Sequence, residues 1–325
     1  MVTFDSAHGE KRMKDRRVLD VRSRVELNVD EESTRADCKE NSVSQDLEEL
    51  KDWIGQKEAD VDHVTVPSVH RLACTLDRDD PMPRVGDDLP IDWHSVLFPR
   101  VVCQSQIGPD GHPKRGDFSP PVPFPRRMFA GTRIRFNAPL KVGDEVRRES
   151  TIKDVTLKQG RTGQTVFVTV QTDIHSPRGL AITEEQDIVY RGEPEPGAPA
   201  QAPQPAPGQA VWTKTVTPDQ VMLFRYSALT FNGHRIHYDH PYVTQVEKYP
   251  NLVMNGGLTT VLVFELARAN AKSPFTYISS RNVRPLFVHR SITLCGEPAA
   301  DGKTARLWAQ DDTGTLALNA TAEFA

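Results

Sequence analysis

Apolar residues recur at helical spacing in two places that open alike. Val66-Pro67 leads into Val69, Leu72 and Ala73, and Thr217-Pro218 leads into Val221, Leu223 and Phe224. A proline suits the first helical turn because its missing N–H has no partner there. A third run, Leu258 to Leu266, is apolar almost all round, with Glu265 the main exception, and predicts a buried helix. Near the start, Leu19, Val21, Val25, Leu27 and Val29 alternate with polar residues at the period of a half-buried strand. Residues 1–45 are accordingly expected to give one edge strand or a disordered extension.

The later segments echo one another. Phe129, Arg135, Pro139, Leu140 and Val142 recur at a constant offset as Phe275, Arg281, Pro285, Leu286 and Val288. Gly163-x-Thr165 before VFVTVQTDI is answered by Gly302-x-Thr304 before ARLWAQ, and Leu180-Ala181 by Leu316-Ala317. The pattern predicts an internal repeat of one α+β unit. Between the copies, residues 192–210 hold six prolines and no large apolar residue, so an extended linker is expected. The predicted divisions are 46–191 and 211–325. Each half is an antiparallel sheet curled around a central helix, and the two are fused as a pseudo-dimer. The first half has only a poor version of that helix around Trp93 to Val102, and Asp77-Arg78-Asp79-Asp80-Pro81 where the second carries its histidine loop. One active site per chain follows.

Composition narrows the chemistry. The 325 residues carry a net charge of −4, which leaves no basic footprint for nucleic acid. Cys38, Cys74, Cys103 and Cys295 show no paired spacing for zinc or redox work. No apolar run approaches the roughly 18 residues of a membrane span. A cytoplasmic protein is expected, with a mitochondrial address as the alternative.

The chemistry concentrates in Arg225 to Tyr242, RYSALTFNGHRIHYDHPY, and in Asn255-Gly256-Gly257, which opens the apolar helix. Asn232 and His237 stand five apart, with Asp239 just beyond. A proton-handling imidazole, a polar amide and a backbone N–H at a helix start are the parts needed to add or remove water next to an activated carbonyl. Asp239 is assigned to orienting the loop. Asn255 is read either as a simple N-cap or as part of the substrate site. Arg225 and Arg235 are candidates for binding an anionic group of a substrate, against a plain structural role. His234 and His240 flank His237 at three-residue spacing; with no third ligand motif they are read as polar loop residues, and no metal is expected.

At these residues the chain resembles the MaoC-like hydratases and dehydratases of double hot-dog fold, and within them the mesaconyl-C4-CoA hydratase and hydroxyacyl-thioester dehydratase type 2 group. The likeness runs over about 46–325, through LEELKDWIG, PVPFPRRMFAG, LAITEEQDIVYR and LFRYSALTFNGHRIHYD. The general pattern pairs an aspartate with a histidine five residues on, and adds a His-Gly pair. Here His237 matches, Asn232 stands at the aspartate position, Asn255-Gly256 replaces His-Gly, and Gly257 replaces the usual proline.

The resemblance implies reversible hydration of a 2-enoyl-CoA, with a short branched dicarboxylyl group such as mesaconyl or itaconyl, and no cofactor. The alternatives are a 3-hydroxyacyl dehydratase acting on ACP-bound or CoA-bound chains, a thioesterase on the same fold, and a silent acyl-CoA binder. A monomeric pseudo-dimer and a homodimer are both compatible with fused halves.

Overall fold

The computed structural model describes residues 47–160, 163–192 and 202–325. The expectations for residues 1–45, including Cys38, lie outside them, as does part of the linker. The first repeat holds β1 (Lys57–His63), α1 (Val66–Thr75), β2 (Arg126–Phe136), β3 (Glu145–Gly160), β4 (Gly163–Ser176) and β5 (Gly179–Arg191). The second holds β6 (Trp212–Val216), α2 (Gln220–Leu229), α3 (His240–Gln245), α4 (Gly256–Asn270), β7 (Phe275–Asn282), β8 (Ile292–Pro298), β9 (Thr304–Gln310) and β10 (Leu316–Phe324).

These strands form one antiparallel sheet in the order β1-β3-β4-β5-β2-β7-β10-β9-β8-β6. Read outward from its middle, the order β2-β5-β4-β3-β1 is matched by β7-β10-β9-β8-β6. The two runs meet where β2 pairs with β7, Ile134 opposite Ile278 and Arg133 opposite Ser279. Arg133 and Ser279 are related by the same offset that carries Phe129 to Phe275, so a pseudo-twofold axis passes between them.

Loop hydrogen bonds repeat as well. Asn137 and Ala138 N–H donate to the Ala181 carbonyl, as Val283 and Arg284 donate to Ala317. Leu89 donates to Leu140 as Met254 donates to Leu286, and Val142 to Asp87 as Val288 to Leu252. By this register Pro90 occupies the place of Asn255.

From that point the copies diverge. After Asn255 the chain enters α4, whose Leu258, Val261, Leu262, Val263, Phe264 and Leu266 are all buried. Each such side chain removed from water contributes ~1.5–3 kcal/mol. After Pro90 there is only a 3₁₀ turn, Trp93–Val96, entered through Asp92 at φ 64°. Glu265, the polar exception of α4, faces this turn: its carboxylate accepts from Trp93 Nε1 at 3.0 Å and from Arg268 Nε at 3.1 Å, and pairs with Arg78. Arg78 comes from the charged run after α1, so that run serves packing between the halves.

The described end of the linker is tied down. Ala206 N–H donates to Gly314 and Leu316 N–H to Gln204, and Ala206 and Ala210 pack on buried Cys295, Trp308 and Leu316. The second repeat's first helix starts two residues beyond Pro218, where Asp219 caps it by accepting from Met222 N–H. The carboxylate beats the proline as a start signal because it satisfies an otherwise unpaired amide.

Candidate active site

Helix α2 ends at Leu229, and Phe231 at φ 51° turns the chain back. Asn232 then closes a local turn: its N–H donates to Ser227 O at 2.8 Å and its Oδ1 accepts from His234 N–H at 3.0 Å. Arg235 to His237 form a 3₁₀ turn. The Arg235 guanidinium donates to Asp239 Oδ2 at 3.0 and 2.8 Å and to Pro109 O at 3.0 Å, and lies 4.0 Å from the Tyr242 ring centre. Asp239 also caps α3 by accepting from Tyr242 N–H at 3.1 Å. Arg235 is thereby engaged by Asp239 and Pro109, and Asp239 links the guanidinium to the start of α3. Arg225 is exposed on α2, and His240 is exposed at the start of α3; neither joins the cluster around His237.

His237 is 6% exposed, and its Nδ1 sits 2.7 Å from the Val253 carbonyl oxygen. A carbonyl can only accept, so Nδ1 carries the proton and Nε2 keeps its lone pair. Burial pushes the imidazole down to about 4, partly opposed by the Val253 hydrogen bond and aided by His112. The ring is therefore a neutral base at pH 7.

Val253 leads within three residues into the start of α4. Asn255 holds the N-cap position without capping through its side chain: Nδ2 donates to Ser227 Oγ at 3.2 Å, and Oδ1 is buried without a partner. Asn255 is thus turned inward against α2. The two glycines beyond it have close neighbours. A Cβ at Gly256 would lie 3.2 Å from Asn282 Nδ2, and one at Gly257 would lie 2.7 Å from Tyr226 Oη. The free N–H groups of this first turn form a site for developing negative charge.

A segment from the first half packs against the histidine loop, and the sequence does not single it out. Gly108 to Arg115 runs against the histidine loop, with Arg235 N–H donating to Asp110 O at 2.9 Å. Asp110 Oδ2 pairs with His112 Nδ1 at 3.1 Å. The His112 ring lies 4.1 Å from that of His234, which in turn stands edge-on to His237 at 5.3 Å. Burial would raise Asp110, but hydrogen bonds from the His112 ring and backbone hold it well below the usual carboxylate range. Burial, with His112 and His237 nearby, keeps His234 neutral. Asp110, His112 and His234 offer ligand atoms within 4.8 Å of one another, a grouping unlike the His234/His240 spacing that the sequence displays. The available signal was Gly108-x-Asp110-Gly111-His112, two chemically capable side chains in a glycine turn.

Residues 92–288, which hold all of these groups, match the family model of hydroxyacyl-thioester dehydratase type 2. The chain belongs to that family. This dehydratase-family chain is 46% identical over 275 residues to the mesaconyl-C(4)-CoA hydratase of Chloroflexus aurantiacus, covering 84% of the chain and 96% of that relative. It is 27% identical to the mitochondrial hydroxyacyl-thioester dehydratase type 2 of Schizosaccharomyces pombe, covering 80% of the chain and 91% of the relative. A solved MaoC-like dehydratase superposes with a TM-score of 0.63 at 13% identity, covering 85% of this chain and 99% of that one, which shows the shared double hot-dog architecture. As a family member the chain is an enzyme of the hydro-lyase class. No helix among its described residues is long and apolar enough to cross a membrane.

In this family member the first half keeps a polar interior where its central helix is missing. His94 pairs with Glu184 at 3.3 Å, and Glu184 also accepts from Thr132 at 2.8 Å and Gln186 at 2.9 Å. Burial pushes Asp92 up to about 7. Tyr226 lies in electrostatic reach of Asp92, and its hydroxyl abuts Gly257, so this cluster adjoins the start of α4.

Proposed function

We propose that the enzyme reversibly adds water across a 2-enoyl-CoA, with a short branched dicarboxylyl-CoA of the mesaconyl kind as its substrate. The observation that carries this reading is His237, a neutral base fixed by Val253 immediately before the glycine start of α4. Its Nε2 takes a proton from water as the oxygen bonds to the β-carbon. The alkene pair shifts toward the thioester, and the Gly256 N–H, with the helix dipole in the favourable sense, receives the growing charge on oxygen. The imidazolium then returns its proton to the α-carbon.

Asn232 cannot take a proton at neutral pH, and its Oδ1 is already engaged by His234 N–H, so its amide NH₂ serves to orient the water. One base handles both proton steps. Dehydration of a 3-hydroxyacyl thioester uses the same groups in reverse, which agrees with the name of the fission-yeast relative. We further propose that 211–325 carries the catalytic groups while 46–191 has no complete site of its own, and that a single chain suffices for activity.

The test is loss of the ultraviolet absorbance of the conjugated enoyl thioester with mesaconyl-C4-CoA, in wild type and His237→Ala, with free thiol followed in parallel. Loss without thiol release, abolished by the substitution, is the expected result. Thiol release would replace hydration by thioester hydrolysis, and no change with any enoyl thioester would overturn the reading.

A further inference from the structure

A dicarboxylyl substrate poses a recognition problem that the groups described so far leave open. In a mesaconyl-C4 thioester the free carboxylate hangs on the same carbon that receives the hydroxyl. Its partner must therefore lie beside the histidine loop rather than where the CoA phosphates emerge. The arginines predicted from the sequence do not fill that role, since Arg235 is bound to Asp239 and Pro109 and Arg225 is exposed.

Arg115 is nearer but engaged. Its guanidinium donates to Val122 O and Phe124 O at 2.5 Å each and to Pro125 O at 3.2 Å, and it lies 4.9 Å from the Tyr190 ring centre. Those carbonyls immediately precede β2, so Arg115 fixes how that strand begins. Arg127, the second residue of β2, pairs in register with the same Tyr190 and is half-buried. Among the described residues its side chain has no ion pair or hydrogen bond, and Arg115 and His234 are among the groups that feel its charge. Two residues on, Phe129 O accepts from Asn282 Nδ2 at 3.4 Å, the amide that packs against Gly256. This start of β2 thus runs from the surroundings of His234 to the start of α4.

Resting on the dicarboxylyl reading above, we propose that Arg127 binds the free carboxylate carried by the carbon to which water adds. A half-buried guanidinium with no ion-pair partner among the described residues, whose charge is felt by Arg115 and His234, lacks its natural partner, and a carboxylate accepts its planar fork in a bidentate pair. The carboxylate would sit beside neutral His234 and so adds no counter-charge to His237 beyond what Arg127 offsets.

The experiment compares wild type, Arg127→Gln and Arg127→Lys on mesaconyl-C4-CoA and on crotonyl-CoA, which keeps the CoA and the alkene but has no second carboxylate. Melting temperatures confirm that the variants fold. Arg127→Gln is expected to lower kcat/KM on mesaconyl-C4-CoA by roughly 10–150-fold, the worth of a hydrogen bond to a charged group, mainly through KM. Crotonyl-CoA turnover should change by less than about threefold, and Arg127→Lys should fall between, having the charge without the fork. Equal loss on both substrates, which a phosphate-binding role would give, overturns the proposal, as does no loss on either.

A binding measurement separates it from the hydration reading. Unreactive methylsuccinyl-C4-CoA should bind wild type more tightly than butyryl-CoA does, and Arg127→Gln should erase that difference. If wild type hydrates neither enoyl substrate yet shows this difference, hydration fails and the assignment of Arg127 stands. If the difference is absent, the assignment fails whatever the turnover.

Discussion

Gly111 and Gly233 meet backbone to backbone, one from the first half and one from the histidine loop. A Cβ on Gly233 would stand 2.7 Å from the Gly111 carbonyl oxygen, and one on Gly111, where φ is +90°, would run into the Gly233 carbonyl. Neither obstacle is a flexible side chain, so only separating the two loops relieves it. Gly111→Ala is expected to destabilise the fold by ~1–3 kcal/mol. It should also lower kcat/KM by 10-fold or more, because displacing a reacting group by about 1 Å costs on that order. Urea unfolding and steady-state kinetics check both parts.

His237→Ala removes the proposed base and leaves the Val253 carbonyl without its donor. The rate should drop by ~10²–10⁴-fold. His237→Gln can still donate to that carbonyl, so it should recover the melting temperature but not the turnover. Recovery of turnover by glutamine would show that the imidazole moves no proton.

The acid behaviour of His237 has a defined sign. Its folded value of about 4 lies below its ordinary 6.5, so between these values the unfolded chain binds a proton that the native one does not. Stability from this residue is full above pH 6.5 and declines as pH falls toward 4. The wild type should lose ~2 kcal/mol relative to His237→Gln between pH 7.5 and pH 5, read from urea midpoints. In the same range log kcat/KM should stay level, with its acid limb near pH 4 instead of near 6.5.

At Gly257 two effects oppose each other. Alanine favours a helix over glycine by ~1 kcal/mol, but its Cβ would lie 2.7 Å from Tyr226 Oη, and such overpacking costs ~1–3 kcal/mol. Gly257→Ala alone should therefore destabilise. Adding Tyr226→Phe removes the obstructing oxygen and should return at least half of the loss, a coupling visible in a double-mutant cycle. Simple additivity would mean that the helix start shifts to accommodate the methyl group.

The repeat could be read from the sequence because it is written in loop contacts as well as in strands: Leu140 and Leu286, or Ala181 and Ala317, take the same backbone bonds. His237 could be read because a polar run between two apolar helices is conspicuous. Asp110 and His112 could not. They lie far upstream in a proline- and glycine-rich stretch with no periodicity, and only the fold brings them to the loop. The inward turn of Asn255 was equally hidden, since the N-cap position favours asparagine whether or not its amide caps. The contacts of Arg235 with Pro109 O and the Tyr242 ring were hidden too, since its own sequence neighbourhood announces neither as a partner.

The pairing of β2 with β7 has one more consequence, for behaviour in dilute solution. An enzyme that assembles its site from two separate subunits loses specific activity below the dissociation constant, by mass action. Here the strands that join the halves, and the glycines that seat the histidine loop, belong to one polypeptide, so their encounter is set by tether length and not by protein concentration. Activity per chain should hold constant through serial dilution, and the first half is free to change sequence in step with the second because both are inherited as a single gene product.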